Sequence, residues 1–224
     1  LFTLRFAPAF FGVLFVILIY KLILLFGFSR KTALFGGLIF IFENGILTQS
    51  KLILLDIFLL FFGFLALYFF FYSQKQIGLK SFLFFLLSSV FSTFAFSIKW
   101  TGLTFFLLII GYFYVVSVFS TPFWKFIFKI TIFLLVSFIT YFLIFWIHFS
   151  LLKFSGPGDA FMSKSFQKSL INNKIEKNIK PLSLFGKFIE LNWVMLKYNL
   201  NFEASHPYSS KWYQWPFMIK LIWY

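Results

Sequence analysis

The stretch LILLDIFLLFFGFLALYFFFY, Leu52 to Tyr72, carries a single charged side chain, Asp56. An apolar run of 18 or more residues is long enough, as a helix, to cross the hydrocarbon core of a bilayer. A membrane-spanning strand would instead alternate apolar and polar residues over about ten positions. This run is apolar on every face, so it reads as a transmembrane helix. Outward from it, similar runs cover Leu4–Phe26, Ala33–Ile46, Ser81–Ile98, Thr101–Ser120 and Ile127–Phe149. The expected fold is an all-α polytopic membrane protein with about six full spans. Residues 1–149 would form part of a transmembrane bundle, residues 150–215 a hydrophilic external stretch, and residues 216–224 the start of a seventh span.

Composition agrees with this reading. Of the 224 residues, 61% are hydrophobic and 42 are Phe, and the mean hydropathy is +0.94. Soluble domains average about 45–50% apolar. With no Cys, disulfides and thiolate metal sites are excluded. His148 and His206 lie too far apart to suggest a metal site. The net charge of +14 would point to nucleic acid in a soluble protein. Here the cations sit in short loops, where they set orientation and meet anionic lipid. The chain opens on Leu1 without Met and closes just inside a new apolar run, so it reads as part of a longer protein.

Loop charges give the orientation. Arg30 and Lys31, then Lys75 and Lys80, then Lys125 and Lys129 fall in alternate loops, which the positive-inside rule places in the cytoplasm. By parity, ENGILTQSK (residues 43–51), SIKW (97–100) and residues 150–215 all face the other side. The polar residues that are more than topology markers therefore converge on one membrane face.

Several of them bear chemistry. Glu43 and Asn44 end an apolar run, and Gln49 and Asp56 follow. A carboxylate at a span terminus is costly against lipid, so Glu43 should face a polar pocket, or pair with Lys51. Arg5 opens the first span, where it can snorkel to headgroups or clamp a phosphate through its planar fork. Lys99-Trp100 suits an interfacial anchor. SGPGDAFMSKSFQ has turn chemistry around Asp159 but lacks the Gly-Lys-Ser/Thr ending of a phosphate-binding loop. FGKFIELNWVMLKYN has apolar residues at helical spacing and could lie flat in the membrane interface. SHPYSSKWYQWP, from Ser205, sets His206, Tyr208 and Trp212 among hydrogen-bonding groups, as sugar-binding surfaces do.

The strings ENGILTQSKLILLD, SIKWTGL, SGPGDAFMSKSFQKSL and HPYSSKWYQWPFMIK, in that order, resemble the protein O-mannosyltransferase family. Its pattern reads approximately Glu-Asn-Ala-Leu-Thr-Gln-Ser-Arg, Lys-Trp-x-Gly, the Ser-Gly-Pro-Gly-Asp loop, and His-Pro-Tyr-x-Ser-x-Trp-x-x-Trp-Pro. Gly45 and Lys51 replace a common Ala and Arg. The resemblance implies a C-type glycosyltransferase (GT-C) bundle and inverting transfer of mannose from a polyprenyl-phosphate carrier, dolichyl phosphate in eukaryotes. The acceptors would be Ser and Thr hydroxyls of exported proteins, and no metal, nucleotide or other cofactor would be needed. It makes Arg5 and Lys99 phosphate-side candidates. Glu43, Asn44 and Gln49 would shape the donor pocket, and Asp159, His206, Tyr208 and Trp212 would line it from the external stretch. The catalytic base would be an acidic pair upstream of Leu1. A dimer and contact with membrane lipid are allowed, and no nucleic-acid partner is expected.

Residues 171–204 leave no room for the β-trefoil module of eukaryotic members, so the bacterial or archaeal plasma membrane is expected, or the endoplasmic reticulum in a eukaryote. Three alternatives stay open on the residues alone: a non-catalytic member acting as a binding subunit, another lipid-linked-sugar transferase, and a transporter or respiratory subunit. The last would need ionisable residues at mid-span, whereas here the acids lie at span ends or in loops.

Overall fold

The computed structural model describes residues 2–120, 122–176, 178–201, 211 and 213–214. The expected seventh span, and His206, Tyr208 and Trp212, lie outside the described residues. The chain divides into two units, residues 1–147 and 148–224.

The first unit is built of helices. α1 (Phe2–Leu25) ends because Gly27 takes φ +90°, the left-handed conformation that only Gly adopts without strain. Phe28 N–H then reaches Ile23 O and Gly27 N–H reaches Leu24 O, which satisfies carbonyls that the helix end would leave unpaired. α2 (Arg30–Phe42) starts on Ser29, whose hydroxyl accepts from Thr32 N–H at 3.1 Å. It is followed by α3 (Asn44–Lys51), bent from α2 by 61°. The second span is therefore shorter than the apolar run suggests, and ENGILTQSK is helical instead of a loop.

α4 (Asp56–Gln74) and α5 (Gly78–Ile98) form an antiparallel hairpin. A 3₁₀ turn, Trp100–Gly102, then leads into α6 (Leu103–Ser120). α7 (Phe123–Leu151) follows. Four of these helices, α1, α4, α5 and α7, are long and apolar enough to cross a membrane, and the bent α2–α3 pair makes a fifth candidate. Among the described residues the expected span Thr101–Ser120, the fifth in chain order, is a shorter apolar segment, Trp100–Val116.

Lipid tails are as apolar as Leu, so close van der Waals packing and interhelical hydrogen bonds must hold the helices together. Phe supplies the first. Phe62 and Phe69 of α4 stack on Phe91 of α5 at 6.1 and 5.4 Å. Phe11 of α1 packs on Phe58, Phe61 and Phe62. Phe85, Phe106 and Phe133 join α5, α6 and α7. Serine supplies the second. Ser88, Ser89, Ser92 and Thr93 of α5 are fully buried. Ser89 Oγ donates to Phe133 O at 2.8 Å and lies 2.7 Å from Ser137 Oγ.

The second unit holds a 3₁₀ turn (Pro157–Phe161), α8 (Lys164–Lys168) and α9 (Leu184–Leu200). Lys153–Ser155 lies beside Ile171 through two backbone hydrogen bonds, of 2.8 and 2.9 Å. Phe149, Phe166, Leu170 and Phe188 are buried. The amphipathic stretch is helical, as its spacing implies.

Candidate functional site

In the first unit, chain direction decides which residues meet. α1 leaves the end that carries Arg5, α2 returns to it, and α3 lies there. α4 starts there at Asp56, and α5 returns there at Ile98. Arg5, residues 43–51, Asp56, Lys99 and Trp100 therefore share one end of the helices. The opposite end holds Arg30, Lys31, Lys75 and Lys80, where Lys75 Nζ donates to Leu25 O at the end of α1.

At the shared end an ion pair forms, with Lys99 Nζ 2.6 Å from Asp56 Oδ1. It ties the first residue of α4 to the residue that ends α5. Behind it the backbone turns tightly. Lys99 N–H points back to Ala95 O, and Gly102 N–H donates to Lys99 O at 2.9 Å. The pair was legible in principle: Asp56 and Lys99 are opposite charges that span parity places on one face. Their separation of 43 residues hides the partnership from any local pattern.

Glu43 has a structural part that its sequence position does not reveal. It has extended backbone, φ −74° and ψ 119°, and is both the last cap of α2 and the first cap of α3. Its carboxylate accepts from Gly45 N–H at 3.0 Å and from Ile46 N–H at 2.7 Å. An acid at a helix N-terminus satisfies unpaired amides and meets the positive end of the helix dipole, so Glu43 creates the break between α2 and α3. Asn44 opens α3 and is exposed, Gln49 is half-buried in it, and Arg5 is exposed on α1.

In the second unit, Asp159 Oδ2 accepts from Gly156 N–H at 2.7 Å and closes the turn around Pro157. Gln167 Nε2 braces the same turn through Asp159 O and Met162 O, both at 2.9 Å. Glu190, absent from the sequence-level candidates, accepts from Ser163 N–H at 2.6 Å and from Ser163 Oγ at 2.7 Å. Ser163 in turn caps α8. No spacing signal links residues 27 apart across two helices.

Four of the five described carboxylates, those of Glu43, Asp56, Asp159 and Glu190, are thus committed to a cap, an ion pair or a turn. Among the described residues, no group of three or more His, Asp or Glu side chains is arranged to hold a metal ion.

Comparison with known proteins gives consistent matches. A family model described as dolichyl-phosphate-mannose-protein mannosyltransferase matches residues 1–153. A second, for the C-terminal four-span region of protein O-mannosyltransferase, matches residues 184–224. Protein O-mannosyl-transferase 1 of Mus musculus is 33% identical over 188 residues, which cover 75% of this chain and 24% of that protein. Dolichyl-phosphate-mannose–protein mannosyltransferase 1 of Saccharomyces cerevisiae is 33% identical over 215 residues, covering 91% of this chain and 26% of that protein. The solved S. cerevisiae protein O-mannosyltransferase Pmt1-Pmt2 complex bound to the sugar donor is similar at 30% identity and a TM-score of 0.69. That match covers 78% of this chain and 25% of the solved one. The chain spans about a quarter of the length of these relatives.

Proposed function

The chain belongs to the dolichyl-phosphate-mannose–protein mannosyltransferase family, and from that premise we propose that it serves transfer of mannose from a polyprenyl-phosphate carrier to Ser or Thr hydroxyls of exported proteins. The observation that carries the reading is the family match over residues 1–153, the segment whose polar helix ends gather at one face. Transfer at an inverted centre needs a base for the acceptor hydroxyl and positive charge for the departing lipid phosphate.

For the phosphate we propose Arg5, an exposed guanidinium at the right end of the helices. Lys99, held by Asp56, sits beside it in role as a fixed and partly neutralised cation. Asn44 and Gln49 line the same end. Asp159 acts through the turn it closes, and His206, Tyr208 and Trp212 keep their proposed place on the sugar side. For the base we propose a carboxylate other than the four committed ones. No cofactor beyond the lipid-linked donor is invoked.

We extend the reading to partners and place. A second family member is the proposed assembly partner, supported by the two-protein complex among the similar structures. The eukaryotic relatives named above weigh for the endoplasmic reticulum membrane, against the plasma membrane that the short external stretch suggested.

The test is transfer of labelled mannose from dolichyl phosphate mannose to a Ser/Thr peptide, by membranes carrying the full-length protein. Loss of one donor to a developing anion costs about 10²–10³ in rate, so Arg5→Ala should lower transfer by that much at unchanged protein level. Arg5→Lys should recover part of it, since the charge stays and the fork is lost. Near-normal transfer by Arg5→Ala would remove Arg5 from the site.

A further inference from the structure

α9 presents its apolar face outward. Phe185, Ile189, Trp193 and Lys197 are exposed at i, i+4 spacing, a stripe that is apolar except for Lys197, and Tyr198, Asn199 and Leu200 are exposed at its end. Phe185 is 56% exposed, Ile189 52%, Trp193 63% and Leu200 75%. Phe161, 71% exposed, lines a shallow cavity with Trp193 and Lys197 and extends the patch. The inward face holds the buried Phe188, and Glu190, which is hydrogen-bonded to Ser163. In a helix packed only against its own unit, the apolar stripe would face the core.

We propose that this stripe lies on the lipid surface, parallel to it, and that α9 is the strut that holds the Asp159 turn at a fixed height above the bilayer. Three observations select lipid as the occupant. First, the chain's other helices include four that are long and apolar enough to cross a membrane, so a bilayer is at hand. Second, α9 is itself 17 residues long and carries Lys187, Glu190, Asn192 and Lys197, so it is too short and too polar to cross. Third, Trp193 and Lys197 in one stripe give the chemistry of the headgroup boundary, where an aromatic ring sits among acyl chains and an ammonium reaches phosphate. Residues 150–215 also carry more Lys than Asp and Glu, the sign that phosphate headgroups attract.

The link to the turn is covalently short and well bonded. Glu190 projects from the inward face and holds both the amide and the hydroxyl of Ser163, four residues beyond Asp159. A helix fixed in depth by its outer stripe thereby fixes the turn by its inner one. The depth of α9 stands independently of the transferase reading, because its test needs no turnover.

The absence of Cys from this chain suits the experiment. The full-length protein, with any other cysteine replaced by Ser, takes single nitroxide labels at Phe185→Cys, Ile189→Cys and Leu200→Cys, and at Leu191→Cys on the half-buried side. In phospholipid vesicles, collision with oxygen should exceed collision with a water-soluble nickel chelate at the three outward sites, and both should be low at 191. Dominant nickel collision at the outward sites would place the stripe in water and overturn the proposal. Low collision with both reagents there would place it under another part of the protein and overturn it equally. For the strut, Glu190→Gln should leave the labels at 185 and 189 at the same depth while a label at Ala160→Cys becomes several-fold more mobile. An Ala160 label as immobile in Glu190→Gln as in the parent would refute the strut.

Discussion

Gly102→Ala tests the corner that holds Lys99. A Cβ at position 102 would lie 2.5 Å from the Ala95 carbonyl carbon, 2.7 Å from Phe96 N, and closer still to the Ala95 oxygen. Carbon atoms sit comfortably at about 3.5–4.0 Å, so the corner must open by about 1 Å. The obstructing atoms are backbone, which cannot swing aside as a side chain can. Overpacking of this kind costs about 1–3 kcal/mol. Opening the corner also strains the bond from Gly102 N–H to Lys99 O and draws Lys99 away from Asp56. Gly111 is the control. It lies inside α6 with open space around its Cβ position, so Gly111→Ala should gain about 0.5–1 kcal/mol from reduced chain entropy. The two variants make the same chemical change and should differ by about 1.5–4 kcal/mol. At 1.4 kcal/mol per tenfold, that is roughly 10- to 700-fold in the folding equilibrium. The assay is thermal loss of monodisperse full-length protein in detergent. The expected order of midpoints is Gly111→Ala at or above the parent, with Gly102→Ala clearly below both. A Gly102→Ala protein as stable as Gly111→Ala would refute the claim that the corner is sterically closed.

The remaining predictions concern the polar contacts. The Lys99 and Asp56 side chains are 44% and 33% exposed, so a double-mutant cycle on stability should show coupling below about 1 kcal/mol. If the pair acts as one latch, Asp56→Asn and Lys99→Met should lower mannose transfer to a similar extent, with the double variant no worse. Full transfer by Asp56→Asn would leave Lys99 acting alone. Ser89→Ala removes an interhelical bond to α7, and such bonds in membranes are worth about 0.6 kcal/mol on average, with a maximum of about 1.7. The melting midpoint should fall accordingly. Ser92→Ala, whose hydroxyl bonds only to its own helix through Ser89 O, should fall less, and an equal fall would show that the interhelical bond is not the cause.

The apolar runs were legible because a bilayer demands length and hydrophobicity and little else. Leu4–Phe26 became α1, Leu52–Tyr72 became α4, Ser81–Ile98 became α5 and Ile127–Phe149 became α7, with ends displaced by a few residues. The break at Glu43 was not legible. ENGILTQSK is polar enough to read as a loop, and only the carboxylate folded back onto Gly45 and Ile46 shows that a second helix begins there. The helical period of α9 was legible, but not which face turns outward, since that depends on Phe188 and Glu190 finding partners elsewhere in the chain.

Span parity brings acids and cations to one end of the helices but does not say which of them remain available to a ligand. Among the described residues, the contacts narrow the choice. Glu43 is taken up by the amides of α3, and Asp56 and Lys99 take up each other. The other two cations of that end, Arg5 and Lys51, are exposed, and among the described residues no acid is paired with either. A departing phosphate needs positive charge whose field is not already spent on a neighbouring carboxylate. Lys51 ends α3, where its charge also favours the negative end of that helix dipole, so part of its effect is structural. Arg5 stands at the opposite pole of its own helix, where the dipole does not favour a cation. The local helix gains nothing from a guanidinium there, and we propose that its partner is a phosphate, which its fork fits.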